Sequence, residues 1–159
     1  MTKLRNRVNV VTLAIAFLAL NSVARAANDT YVSAKIGSDS NACTVKAPCL
    51  TFKRALAVTA AGGTVTVQDS GSYHPFTITK SVSIVAQGVD AEITALAGTD
   101  GVDVNAGSSD VVLLRGLTIN GLAGLTGVKV SSVGVLHIEN CFITGFNGSA
   151  AGGGIFARR

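Results

Sequence analysis

Tryptophan is absent from the 159 residues, aromatic residues make up 5 % and charged residues only 14 %. The missing indole counts against a sugar site built on aromatic stacking. Charge of one sign is also scarcer than it looks. The formal net charge is +4, but Lys3, Arg5, Arg7 and Arg25 supply all of it, and residues 1–26 contain no acidic residue. Taking these four from the 13 Lys and Arg leaves nine, against 9 Asp and Glu, so residues 27–159 are formally neutral. They hold no Arg/Lys cluster interleaved with aromatics, which excludes nucleic acid as a partner. A long hydrophobic run is lacking too. The apolar stretch over residues 8–20 falls short of the about 20 residues that cross a bilayer.

That stretch has another meaning. A basic beginning, a short apolar run and then Ala24-Arg25-Ala26 follow the order of a secretory signal peptide and its small-residue cleavage site. Residues 1–26 are therefore read as a signal peptide, with Ala27 as the mature start and a retained N-terminal anchor as the alternative. The expected location is secreted or periplasmic, with no membrane span after cleavage. In an oxidising compartment Cys43 and Cys49 are expected to form a local disulfide, against the alternative of two free thiols in a flexible loop. Cys141, the third cysteine, takes the register of Leu117 and reads as a buried small hydrophobe rather than a nucleophile.

What is abundant is Gly, Val and Thr in short alternating runs. Thr126-Gly127-Val128-Lys129-Val130 repeats Asp100-Gly101-Val102-Asp103-Val104 at an offset of 26, and Gly153-Gly154-Ile155-Phe156 opens the unit again. Ile138 to Ile143 repeats Leu114 to Ile119 at an offset of 24. A fixed period of this size marks a solenoid, whose units bury their apolar faces only by stacking. Period-2 alternation assigns inward pairs to each strand. The first coil holds Val65 and Val67, then Ile78, then Val82 and Ile84. The second holds Val102 and Val104, Val112 and Leu114, Leu117 and Ile119. The third holds Val128 and Val130, Leu136 and Ile138, Cys141 and Ile143.

The expected fold is all-β, a right-handed parallel β-helix solenoid of about three coils with a short N-terminal capping helix. Residues 27–62 form the lead-in segment, disulfide loop and helix, and residues 63–159 the coils. The helix is placed at Thr51–Val58, with Thr51 as N-cap, Phe52, Ala55 and Leu56 on its apolar side and Gly62-Gly63 as the stop. Surplus residues around 70–75 and 87–98 read as protruding loops. Lys80-Ser81, Arg115-Gly116 and Glu139-Asn140 read as stacked corners, with Arg115 beside Glu139 and Asn140 suited to a left-handed bend.

The segments Tyr31-Val32-Ser33, Gly37-Ser38-Asp39, Cys43, Pro48-Cys49-Leu50-Thr51-Phe52, Gly63 to Val67, Ile78 to Ile84 and Leu113 to Gly121 together resemble the right-handed parallel β-helix, or pectin-lyase-like, superfamily. More narrowly, they resemble exported bacterial β-helix repeat proteins. The resemblance implies the fold; it leaves the activity open among lyases, hydrolases, adhesins and tailspikes. Members generally have more coils, so the expectation is a truncated product, or an open C-terminal edge covered by a partner or by self-association with a second copy.

Thr99-Asp100-Gly101-Val102-Asp103 is similar to the stretch that carries a catalytic Asp in polygalacturonases. Inverting hydrolysis needs two flanking carboxylates, however, and Gly98 stands where that family has Asn. The family's downstream Asp-Asp, Gly-His-Gly and Arg-x-Lys elements are missing, and Asp103 aligns with Lys129 in the next coil. Asp100, Asp103 and Asp110 are the candidate Ca²⁺ ligands of a lyase, although Ca²⁺ takes 6–8 oxygens and their spacing is irregular. His137 reads as an exposed strand residue. Tyr73 and His74 are candidate carbohydrate contacts in a Tyr73-His74-Pro75 loop. No catalytic residue or bound metal is assigned. The functional expectation is an exported non-catalytic β-helix repeat protein that binds polysaccharide or a surface protein on a flat stacked face. The alternative is the N-terminal piece of a polysaccharide lyase or glycoside hydrolase.

Overall fold

The computed structural model describes residues 27–146 and 153–157; residues 1–26, read above as a signal peptide, lie outside them. The described residues are all-β apart from one short helix, and their strands form three stacked sheets, A, B and C, with parallel pairing between neighbouring strands. Strand β1 (Ala27–Val32) leads into helix α1 (Phe52–Val58) and then β2 (Thr59–Val67). Strands β3 (Gly71–Tyr73), β4 (Phe76–Ile78), β5 (Val82–Val85), β6 (Ala91–Leu96), β7 (Val102–Asn105) and β8 (Val111–Arg115) follow. Strands β9 (Leu117–Leu122), β10 (Thr126–Ser132), β11 (Val135–Glu139), β12 (Phe142–Thr144) and β13 (Gly153–Ala157) complete the order. Sheet A is β1-β2-β5-β8-β11, sheet B is β3-β6-β9-β12 and sheet C is β4-β7-β10-β13. From β2 onward the chain visits A, B and C in that order four times.

Each circuit holds because β-branched and aliphatic residues recur at period 2 and meet their counterparts in the next layer. Val65, Ile84 and Leu114 line up in sheet A, Ile93 and Ile119 in sheet B, and Ile78 and Val104 in sheet C, all without exposed surface. A one-residue slip would turn a whole strand's aliphatic set to water, so burial fixes the register.

Four circuits rather than about three is a correction, and its cause is specific. Residues 70–75 and 87–98, expected as protruding loops, contain β3 and β6, the first two strands of sheet B. Alternation was hard to see there because Ala91 and Ala95 occupy inward positions that bulkier residues hold elsewhere. Two registers change with it. Val65 and Val67 belong to the sheet A column of Ile84 and Leu114, not to the column of Val102 and Val104. Lys80-Ser81 lies between β4 and β5, at the turn from sheet C to sheet A, whereas Arg115-Gly116 and Glu139-Asn140 turn from A to B. The layer next to Gly116 is Ala86, whose N–H donates to Arg115 O at 2.9 Å.

Other expectations hold. Arg115 Nε and Nη2 reach Glu139 Oε2 at 2.8 and 2.5 Å across adjacent layers. Both side chains remain 43 % exposed, so the pair contributes at most about 1 kcal/mol. Asn140 has φ 52, and His137 lies over Leu113 with its side chain exposed. Cys141, expected to be buried, is only half-buried against the core, and burial pushes its thiol up.

Helix α1 roofs the end of the stack. Thr51 caps it by accepting from Arg54 N at 3.1 Å, and Asp39 in turn holds the Leu50 and Thr51 N–H groups and the Thr51 hydroxyl. Phe52 stacks on Phe76 at 4.4 Å between ring centroids and tilts against Tyr73 at 5.3 Å. The helix ends at Val58, and β2 begins directly at Thr59, ahead of the glycine pair expected to stop it. Cys43 and Cys49 form the expected disulfide and are both buried.

Candidate functional site

The residues singled out in the sequence do not form one site. Tyr73 is 3 % exposed on β3, so it is a core residue rather than a loop contact. Its hydroxyl donates to Asp69 at 2.9 Å and accepts from Ala34 N at 3.1 Å. His74 follows it on the exposed surface. Asp100 precedes β7 and pairs with Lys129 at 3.1 Å. Asp103 points outward on β7 between the buried Val102 and Val104, with Thr77 on one side and Lys129 on the other. One carboxylate oxygen of Asp103 is buried without a hydrogen-bond partner among the described residues. Asp110 lies at the turn into β8, where it accepts from the Ser81 hydroxyl at 2.6 Å and Gly107 N at 2.7 Å. Its oxygens hold a corner together, so Asp100, Asp103 and Asp110 do not gather as a Ca²⁺ cage. Among the described residues no three His, Cys, Asp or Glu side chains are grouped to hold a metal ion.

Asp69 organises the junction between the lead-in chain and the first circuit. It accepts from the Ser33 hydroxyl, from Ala34 N at 2.8 Å and from Tyr73. Partial burial pushes its carboxyl up, but the hydrogen bonds from Ser33, the Ala34 N–H, Tyr73 and the Lys35 N–H outweigh this and hold it below the usual carboxylate range. A folded-state value below the unfolded one contributes stability that is present above the unfolded value of about 3.9 and is lost as pH falls through the folded value. Asp69→Asn is therefore expected to cost about 1–3 kcal/mol at pH 7 and to shrink the loss of stability on acidification below about pH 4. Urea titrations of both proteins at several pH values measure this; parallel pH profiles would show that the carboxylate contributes nothing.

A different set of side chains does come together, on the outer face of sheet B. Alternation on β6 and β9 turns Ala91, Ile93, Leu117 and Ile119 inward and Glu92, Thr94, Thr118 and Asn120 outward. In register, Ser72, Glu92, Thr118 and Phe142 form one row across the sheet, and Thr94, Asn120 and Thr144 a second. Hydrogen bonds between layers hold these groups in place. Asn120 Nδ2 donates to Glu92 Oε1 at 3.0 Å and Thr118 Oγ1 to Asp90 Oδ1 at 2.9 Å, while the hydroxyls of Ser72 and Thr94 are 3.4 Å apart. Phe142 closes the first row with 65 % of its surface exposed.

This is an outward surface of carboxylate and amide groups, hydroxyls and one exposed aromatic ring, with layers about 4.8 Å apart. Carboxylates and amides hydrogen-bond neighbouring hydroxyls, and an exposed ring packs against an apolar patch of a ligand. Side chains already fixed by cross-layer bonds lose less freedom on binding. None of Glu92, Thr94, Thr118, Asn120 or Phe142 was among the expected contacts. A signal was present: residues 91–96 precede residues 117–122 by 26 positions, the same offset that relates residues 100–104 to 126–130. Comparison with protein-family models, with curated proteins and with solved structures finds no match to this chain.

Proposed function

We propose that the protein is an exported right-handed parallel β-helix of the pectin-lyase-like kind that binds polysaccharide, without cleaving it, on the outer face of sheet B. The observation that carries this reading is the pair of aligned rows from Ser72 to Phe142 and from Thr94 to Thr144, in register and hydrogen-bonded between layers. Their spacing repeats along one direction, as a linear polymer of sugars requires. The fixed order in which three parallel sheets are visited supports the β-helix assignment, and the Cys43–Cys49 disulfide supports export to an oxidising compartment.

Affinity electrophoresis through gels containing neutral and acidic polysaccharides tests the reading. Retardation by at least one polymer is expected, without any change in that polymer's chain length. The double substitution Glu92→Ala with Asn120→Ala is expected to weaken binding at least tenfold, about 1.4 kcal/mol, with little change in thermal stability because both side chains face outward. Migration unaffected by every polymer removes the proposal, and so does retardation that survives the double substitution.

A further inference from the structure

We infer that the groove between α1 and the free edge of β4 is a docking slot for an extended acidic peptide, which adds to sheet C as a further strand. This surface is separate from the proposed polysaccharide face.

The three sheets end differently beside the roof. In sheet A, β2 is covered by the paired strand β1. In sheet B, β3 is overlain by the lead-in chain: a side chain at Gly71 would come within 2.6 Å of Ala34 Cβ, and Asp69 ties Ser33 and Ala34 down beside it. In sheet C, β4 is the terminal strand and, among the described residues, pairs with β7 alone. Phe76 N donates toward that side, to Gly101 O at 3.3 Å. Alternate residues of a strand direct their backbone groups to opposite sides, so Thr77 turns its N–H and C=O to the open edge. A groove of about 490 Å³ runs there, with Lys53, Leu56 and Ala57 of the helix on one wall and Thr77, Thr79 and Lys80 on the other. Among the described residues no carboxylate lines it.

These features define one kind of occupant. A free strand edge offers main-chain hydrogen bonds to an extended peptide, and the flanking groove accommodates its side chains. Lysine beside an exposed edge deters pairing with neutral or basic strands, and the same charge favours an acidic one. Lys80 is positioned for this role: its ammonium donates to Thr59 O at 2.5 Å, which anchors it and leaves two of its three donors.

The probe is a fluorescein-labelled, acetylated peptide of alternating Glu and Val, three of each, titrated with the full chain and followed by anisotropy. It is expected to bind, to bind more weakly as salt is raised, and to bind at least tenfold better than the matching Lys/Val peptide. Lys53→Glu, at an exposed position, should weaken binding at least tenfold. Thr77→Pro removes the N–H at the open edge while leaving the side that pairs with β7, a placement proline tolerates in edge strands, and should reduce binding at least tenfold with an unaltered melting curve. If Thr77→Pro does not fold, Lys53→Glu and the salt dependence decide the matter alone. The inference is overturned if the acidic peptide shows no binding at roughly 1 mM, if the basic peptide binds as well, or if Lys53→Glu binds the acidic peptide like the wild type.

Discussion

Ile93→Lys is expected to destabilise the protein by at least about 4 kcal/mol, because it forces a charge without a partner into the stacked core. Ile93 has no exposed surface and is aligned with Ile119 in the column of sheet B. Against a total stability of about 5–15 kcal/mol for an ordinary domain, such a loss leaves a large unfolded fraction. The neighbouring substitution Thr94→Lys points outward and is expected to cost less than about 1 kcal/mol. Urea denaturation of the two variants therefore separates two descriptions of residues 87–98. If they were a protruding loop, the two lysines would cost the same. If they contain an internal strand, the costs differ several-fold.

Gly116→Val is expected to be comparably damaging for another reason. Gly116 has φ +74, and a Cβ there would lie 1.9 Å from the carbonyl oxygen of Ala86 in the adjacent layer. The left-handed backbone alone costs a side-chain-bearing residue about 1–2 kcal/mol. The clash is with backbone, so relieving it means parting the layers at the corner between sheets A and B, and the total loss should exceed about 3 kcal/mol. Gly88 is the control. It has φ +72 but nothing within 4 Å of the added Cβ, so Gly88→Ala should show the backbone cost alone. Denaturation midpoints that fall equally in the two variants would mean that the close approach at Gly116 does not constrain the stack.

The parts of the fold legible in the sequence were those where bulky residues advertise the alternation. Val112 and Leu114, Leu117 and Ile119, and Val128 and Val130 occupy inward positions as expected, and the Arg115–Glu139 pair followed from stacking their corners. The helix was legible through Thr51 and the spacing of Phe52, Ala55 and Leu56. Sheet B in the early circuits was not. Its strand β3 has three residues and begins at Gly71, and β6 turns Ala91 and Ala95 inward while exposing Leu96, so apolar patterning gave the wrong sense at both ends. Read as loops, those segments leave the outward rows through Glu92 and Asn120 no sheet to belong to. Tyr73 was misplaced for the same reason: a loop tyrosine suggests a ligand contact, whereas a strand tyrosine packed on Phe52 and bonded to Asp69 holds the first circuit to its roof.

The polysaccharide reading depends on that recovered face. Its most direct test is a heteronuclear NMR titration of the isotope-labelled protein with an oligosaccharide of whichever polymer retards it. Shift changes are expected to concentrate at Glu92, Thr94, Thr118, Asn120 and Phe142, with the inward Ile93 and Ile119 amides remaining slow to exchange. Changes confined to the faces of sheets A or C, or rapid exchange at Ile93, would contradict it.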